Sequence, residues 1–370
     1  MVRSRLLFLS VLCLAVLVLC VFLLRNPDSS GDVFSEARQR TVPVSEGRVG
    51  AVADNLPLGM GRSAVGDRSV DLVLPSFDHG PVIQKARKQE KDGRHLFAVT
   101  RSVAVAPHTA GDWRVAGDRA LWDFSVQSEG ARSLNLAFTE FHLPNGASLT
   151  ISDPTGGSAP VTFTSRDNDD HGQLWTPLFL TDKLHVALDV PHQLASKLRL
   201  RLTKVNHGFR MPGRHKNGED DKAIGDSSSA SCNIDVVCNA QNDPNFGPLV
   251  DQFRDQIRSV GAYTLGGVET CSGALINNAA NDLKPYFLTA DHCGVTSTNA
   301  ASVVVYWNFE NSTCRTPNSA SSGSNGDGPI TQFNTGAIFR ATRSNSDFCL
   351  IELDDPVDAA YNPYLSLIHI

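Results

Sequence analysis

Six cysteines fall between Cys232 and Cys349, and none lies between Cys20 and Cys232. The chain is therefore divided into a long region without cysteine and a shorter one rich in expected disulfides, which implies an oxidising compartment. The N-terminus agrees. Arg3 and Arg5 precede an uncharged apolar run from Leu6 to Leu24, closed by Arg25. This is a charged n-region followed by an h-region, the mark of export. The 19 residues of the run are long for a cleaved signal and just long enough to span a bilayer. Residues 1–25 are read as a signal peptide or a membrane anchor, with anchoring through residues 6–24 left open. No small-x-small cleavage site follows, and bulky Leu19 before Cys20 argues against a lipoprotein signal. In either case the remainder is expected outside the cell.

A length of 370 residues, 41% of them hydrophobic, leaves room for two or three domains. The net charge of −6 supplies no basic field, and no dense Lys/Arg stripe outweighs it. Nucleic acid is excluded as a partner on that ground, because phosphate neutralisation needs clustered cations.

Residues 26–95 are polar and weakly periodic, with a charged stretch at Gln84–Asp92 that suits a solvated helix. They are read as a tether. From 96 to 210 the pattern becomes period two. Leu134, Leu136 and Phe138 alternate with other residues, Pro144-Asn-Gly146 supplies a turn, and Leu149 and Ile151 resume. Val161 and Phe163, then Leu184, Val186 and Leu188, then Leu198, Leu200 and Leu202 repeat the motif. This predicts a β-sandwich-like region. His171, in Asn168-Asp-Asp-His-Gly172, is read as part of a polar turn, since no second ligand sits at a recognisable spacing. His207 and His215 are read as exposed residues bordering a linker. Residues 211–231 are rich in Gly, Lys, Asp and Ser and lack the apolar surface to fold, so they form that linker. From 232 to 363, short apolar strands such as Lys284–Leu288, Ser302–Trp307 and Phe348–Leu353 alternate with polar loops, which suits a β-barrel.

Chemistry concentrates in this last region. In Leu288-Thr-Ala-Asp-His-Cys-Gly294 an apolar strand runs into a histidine followed by a cysteine. Upstream, Val268-Glu-Thr-Cys-Ser-Gly-Ala-Leu-Ile276 offers Cys271 on an adjacent strand. Asp347, 55 residues after His292, introduces another apolar strand. A buried aspartate there can accept from His292 Nδ1–H and stabilise an imidazolium. No His/Cys/Glu set has metal-ligand spacing, so neither a metal nor a cofactor is expected.

Cys271-Ser-Gly-Ala274, Leu288–Cys293 and Asp347–Leu353 resemble the first half of trypsin-fold serine proteases. Ser231-Cys-Asn-Ile-Asp-Val-Val-Cys238, Val304-Val-Tyr-Trp-Asn308 and Asn311-Ser-Thr-Cys314 are similar to the bacterial lysyl endopeptidase group. Gly172–Pro177 and Val205–Gly208 resemble that group's propeptide. The resemblance implies an all-β fold: a β-sandwich-like propeptide followed by an incomplete first β-barrel of a trypsin-like double-barrel protease. It implies that His292 is the general base and Asp347 its orienting carboxylate. It further implies disulfides Cys271–Cys293 and Cys238–Cys314, with Cys232 and Cys349 unpaired. The expected partners are a protein or peptide substrate and the chain's own propeptide. The group's name points to cleavage after lysine, which makes Lys222–Ala223 the expected maturation cut.

The nucleophile is the departure. No Gly-Asp-Ser-Gly-like segment follows Asp347, and Ser366 stands 19 residues after it without the glycines an oxyanion-hole turn needs. The tail, residues 364–370, reads as foreign to the family, so a truncated and inactive precursor is expected. The alternative is a membrane-tethered, non-catalytic binding protein, in which the sandwich does the work and the protease-like part is a remnant.

Overall fold

The computed structural model describes residues 70–90, 95–210, 232–319, 321–322 and 327–364. These all fall within one unit, Val52–Ile370. The export segment, most of the expected tether, the linker with Lys222 and Ala223, His215 and residues 365–370 with Ser366 lie outside the described residues.

In chain order the first elements are β1 (Leu72–Leu74), α1 (Gly80–Glu90), β2 (His95–Leu96), β3 (Ala98–Val105), β4 (Asp112–Ala116), β5 (Arg119–Ser128) and β6 (Ser133–His142). Then come β7 (Ser148–Ser152), β8 (Val161–Thr164), β9 (Leu174–Trp175), β10 (Lys183–Pro191) and β11 (Arg199–Gly208). Strands β1-β5-β10-β7-β8, with β4 added against β5, make one sheet; β3-β11-β6-β9 make the other. Alternation decides what they bury. In β5 every second residue points inward, placing Trp122, Phe124 and Val126 in the core, and β10 does the same with Leu184, Val186, Leu188 and Val190. Leu134, Leu136 and Phe138 of β6 face them from the second sheet. This is a closed sandwich core.

Two parts of the region differ from the sequence expectation. Of the stretch read as a tether up to residue 95, residues 70–90 are packed on the fold. Leu72 and Leu74 pack on the sandwich core through a parallel pairing of β1 with β5, and Val82, Ile83 and Ala86 of α1 pack on Leu96 and Phe209. A few apolar residues among many charges suffice because a neighbouring surface already exists for them to cover. His207, expected as exposed, is fully buried. Its Nδ1 lies 2.8 Å from Ser128 Oγ and its Nε2 lies 3.0 Å from His79 Nε2. Burial, with the nearby His79 and Arg101 charges, pushes its pKa down to about 4, so the ring is neutral.

The second part contains α2 (Gly247–Asp251), α3 (Arg254–Ile257), β12 (Val260–Leu265), β13 (Glu269–Ile276), β14 (Tyr286–Thr289), β15 (Val304–Trp307), β16 (Phe333–Thr335), β17 (Ala337–Arg343) and β18 (Phe348–Leu353). Its sheet runs β16-β15-β12-β13-β14-β18-β17 and curls as in a trypsin-like barrel. Tyr263, Phe287 and Trp307 stack edge to face within its core. The molecule is all-β with a few short helices.

The sandwich and this sheet share a boundary. On the boundary side of β6, Ala137 packs with Trp175, Val304 and Tyr306, which is why Ser133–Phe138 is buried throughout and not in alternation. Strand β2 adds to the free end of β13, pairing His95 with Thr270 and Leu96 with Glu269.

Candidate active site

The antiparallel register of β14 and β18 pairs Tyr286 with Glu352 and Thr289 with Cys349. Antiparallel pairing sets the end of one strand beside the start of its partner. The turn leaving β14 therefore emerges next to the turn entering β18. The first turn is a single 3₁₀ turn, Asp291–Cys293, closed by Gly294 in the left-handed region at φ 77°. The second is Ser344–Ser346, closed by Asp347 at φ 48°. An aspartate tolerates this conformation better than most side chains.

These two turns bring His292 and Asp347 together. His292 Nδ1 lies 2.7 Å from Asp347 Oδ2, and the His292 backbone N–H donates to Asp347 Oδ1 at 2.9 Å. The backbone N–H first, and then the ring, hold the Asp347 carboxyl below the usual carboxylate range. An ionised Asp347 accepts from Nδ1–H, which leaves Nε2 as the basic nitrogen of the neutral ring. The pair is open. The His292 and Asp347 side chains are 47% and 53% exposed, so the burial expected for Asp347 is not supplied by the described residues.

Cys271 and Cys293 are joined with Cα atoms 6.1 Å apart, tying β13 to the residue after His292. Thr289 Oγ1 donates to the Ser272 carbonyl at 2.8 Å and lies 3.0 Å from the Tyr263 hydroxyl, fixing the last residue of β14. One participant was not legible in the sequence. The Thr342 hydroxyl contacts both the Asp291 carboxylate and the Phe348 carbonyl, one residue before His292 and one residue after Asp347. No motif marks Thr342; only the β17–β18 register, which sets it opposite Cys349, brings it there.

The other cysteines among the described residues occupy distinct settings. Cys238 and Cys314 are joined with Cα atoms 4.7 Å apart. Beside them, Asp235 takes Arg315 on both carboxylate oxygens, at 2.7 and 2.8 Å, and also accepts from Asn311 Nδ2. Asn311, the first residue of a potential glycosylation sequon, thus has its amide engaged inside the fold. Cys232 is exposed and Cys349 is buried; both are free thiols.

Among the described residues, metal-type donors converge at three places: Cys271/His292/Cys293, Cys238/Asp243/Cys314 and Asp169/His171/Asp354. In the first two the sulfurs are spent on disulfides. In the third, His171 Nδ1 accepts from the Gln173 N–H at 3.1 Å and Nε2 meets Asp354 at 2.9 Å, so neither nitrogen has a lone pair left for an ion. A polar cleft of about 570 Å³ is lined by Arg254, Arg258, Asn308, Glu310, Tyr361 and Asn362 among others; it does not include His292 or Asp347.

Residues 225–366 match the family described as lysyl endopeptidase, C-terminal domain. Over 197 residues the chain is 26% identical to a lysyl endopeptidase of Pseudomonas aeruginosa strain PAO1, covering 52% of this chain and 41% of that one. The match thus spans about two-fifths of the length of that curated relative. Residues 225–366, which carry His292 and Asp347, are thus similar to the C-terminal domain of lysyl endopeptidases.

Proposed function

We propose that the chain is the precursor of an exported serine endopeptidase, with His292 as general base and Asp347 as the group that orients it. The observation behind this reading is the His292–Asp347 pair, made at both the ring and the backbone and set beside the Cys271–Cys293 bridge. A base held in one tautomer by a carboxylate can take the proton of an attacking hydroxyl and return it to the leaving amine. The sandwich, docked on the sheet that bears the base, acts as propeptide. The relative's name supplies the preference for lysine, and Lys222–Ala223 in the linker is the maturation site.

In this reading the nucleophilic serine and its oxyanion hole lie outside these 370 residues. Without them only a small residue of catalysis survives. The polypeptide as written is expected not to turn over lysyl or arginyl amides; turnover lost in His292→Ala would overturn that part. The family reading is tested on the gene. A frame that continues past codon 370 into a Gly-Asp-Ser-Gly segment supports it, and an expressed enzyme from that frame should begin at Ala223. A genuine stop after Ile370 would leave the endopeptidase reading without a nucleophile and overturn it.

A further inference from the structure

Most contacts between the sandwich and the C-terminal sheet are neutral. Besides the β2–β13 pairing, Asn135 and Asn206 donate to the Gly267 and Gly266 carbonyls at 2.9 and 3.1 Å, and the Tyr306 hydroxyl accepts the Leu178 N–H at 3.0 Å. None of these changes charge in the ordinary pH range. One of the described contacts differs in kind. His171, in the turn before β9, reaches Asp354, just after β18, with Nε2 2.9 Å from Oδ2. Because Nδ1 accepts from Gln173 N–H, the neutral ring carries its proton on Nε2 and donates it to Asp354. The Asp354 side chain is only 4% exposed. Gly336 is required beneath it: a Cβ there would lie 2.0 Å from Asp354 Oδ2 and 3.2 Å from His171 Nε2.

Asp169, His171 and Asp354 bring side-chain N and O atoms within 4.8 Å of one another, and the other charged groups bearing on this contact are Asp167 and Asp170 from the sandwich and Asp355 from the sheet. His171 is the one group among them able to carry positive charge. We propose that this seam is a proton-dependent docking surface whose partner is the chain's own sandwich, held at acidic and neutral pH and loosened in alkali as Asp169 ionises opposite Asp354 and Asp355. The proposal deepens the propeptide reading, since release of the sandwich would then follow pH.

The sign follows from which state holds more protons. Burial, followed by the Asp354 charge, pushes the Asp169 carboxyl up to about 7. Burial also raises Asp355, with Asp167 and Asp354 adding to it. For His171 burial acts downward, but the hydrogen bond and charge of Asp354 outweigh it and the net shift is upward. All three are raised in the docked state, so docking is favoured at low pH and weakens as pH rises through these values. If Asp169 returns from about 7 to its ordinary 3.8 on separation, that group alone weakens docking about tenfold between about pH 6 and about pH 9.

Hydrogen exchange of the full chain, corrected for the intrinsic effect of pH, reads this directly. Phe97 and Leu178 report the seam, through their N–H bonds to the Val268 carbonyl and the Tyr306 hydroxyl, and the paired amides of β5 and β10 report the sandwich core. Seam protection is expected to fall about tenfold or more from about pH 6 to about pH 9, with the core unchanged. Asp169→Asn, which cannot ionise, should flatten the response, whereas Asp170→Asn at an exposed neighbour should keep it. Equal protection at both pH values, an equal fall in the core, or an undiminished fall in Asp169→Asn would overturn the proposal. The measurement needs no hydrolysis, so a flat seam leaves the role of His292 standing, and absence of a protease frame leaves the seam result standing.

Discussion

Asp347 receives His292 twice, from the backbone N–H at 2.9 Å and from Nδ1 at 2.7 Å. The backbone bond fixes where the turn sits, and the ring bond fixes the imidazole plane and tautomer. Of the two, the backbone bond contributes more to keeping the carboxyl ionised.

That ranking is testable. In carbon-detected NMR titration, Asp347 should ionise below the ordinary carboxylate range, so the contact persists at neutral pH and is lost in acid as Asp347 protonates. His292→Ala should move its pKa only part of the way back, because residue 292 still offers its N–H. A return all the way to the ordinary value would show that the ring alone sets the shift.

Asp235 and Arg315 form a pair with side chains only 9% and 12% exposed. Arg315→Met leaves a buried carboxylate without its partner and should cost about 3 kcal/mol in urea denaturation. Pairing it with Asp235→Leu should recover a substantial part of that loss, since the charge left behind is then gone.

Gly273, in the Cys-Ser-Gly-Ala stretch, is set by close packing. A Cβ there would meet Phe287 Cε1 at 2.4 Å and the Leu288 carbonyl oxygen at 2.5 Å, and the latter is backbone that cannot turn aside. Gly273→Ala is therefore expected to destabilise by about 1–3 kcal/mol, read as a lowered Tm. Gly117→Ala tests the contrasting case: its added Cβ meets nothing within 4 Å, so only the strain of φ 64° remains and the loss should be smaller.

The two free thiols among the described residues should separate cleanly in reactivity. Cys232 is exposed, while Cys349 is fully buried and its thiol pKa is raised by burial and, secondarily, by the Asp291 charge. Maleimide labelling mapped by mass spectrometry should modify Cys232 in the native protein and Cys349 only after denaturation.

Much of the architecture was legible because alternation is a local property. Leu184, Val186 and Leu188 announce a half-buried strand without reference to any partner. Alternation fails as a guide at residues 72–90, where so few apolar side chains anchor β1 and α1 that their burial depends on the surface they cover. It fails at His207 too. A histidine near a polar linker looks exposed until β11 is placed between β3 and β6. At the site, the Ala-Asp-His-Cys and Ser-Asp-Phe-Cys stretches drew attention to His292 and Asp347, but Thr342 carried no local signal.

By itself the sequence determined the all-β class, the division between cysteine-free and cysteine-containing regions, and the residue types available for proton transfer. Each is written in neighbouring side chains or in composition. Only the tertiary structure decided that Thr289 lies opposite Cys349, and hence that residues 55 positions apart meet at hydrogen-bonding distance. It also decided that His171 crosses to Asp354, 183 residues away. Strand register and domain docking are set by the packing of whole surfaces, and no short window of sequence contains them.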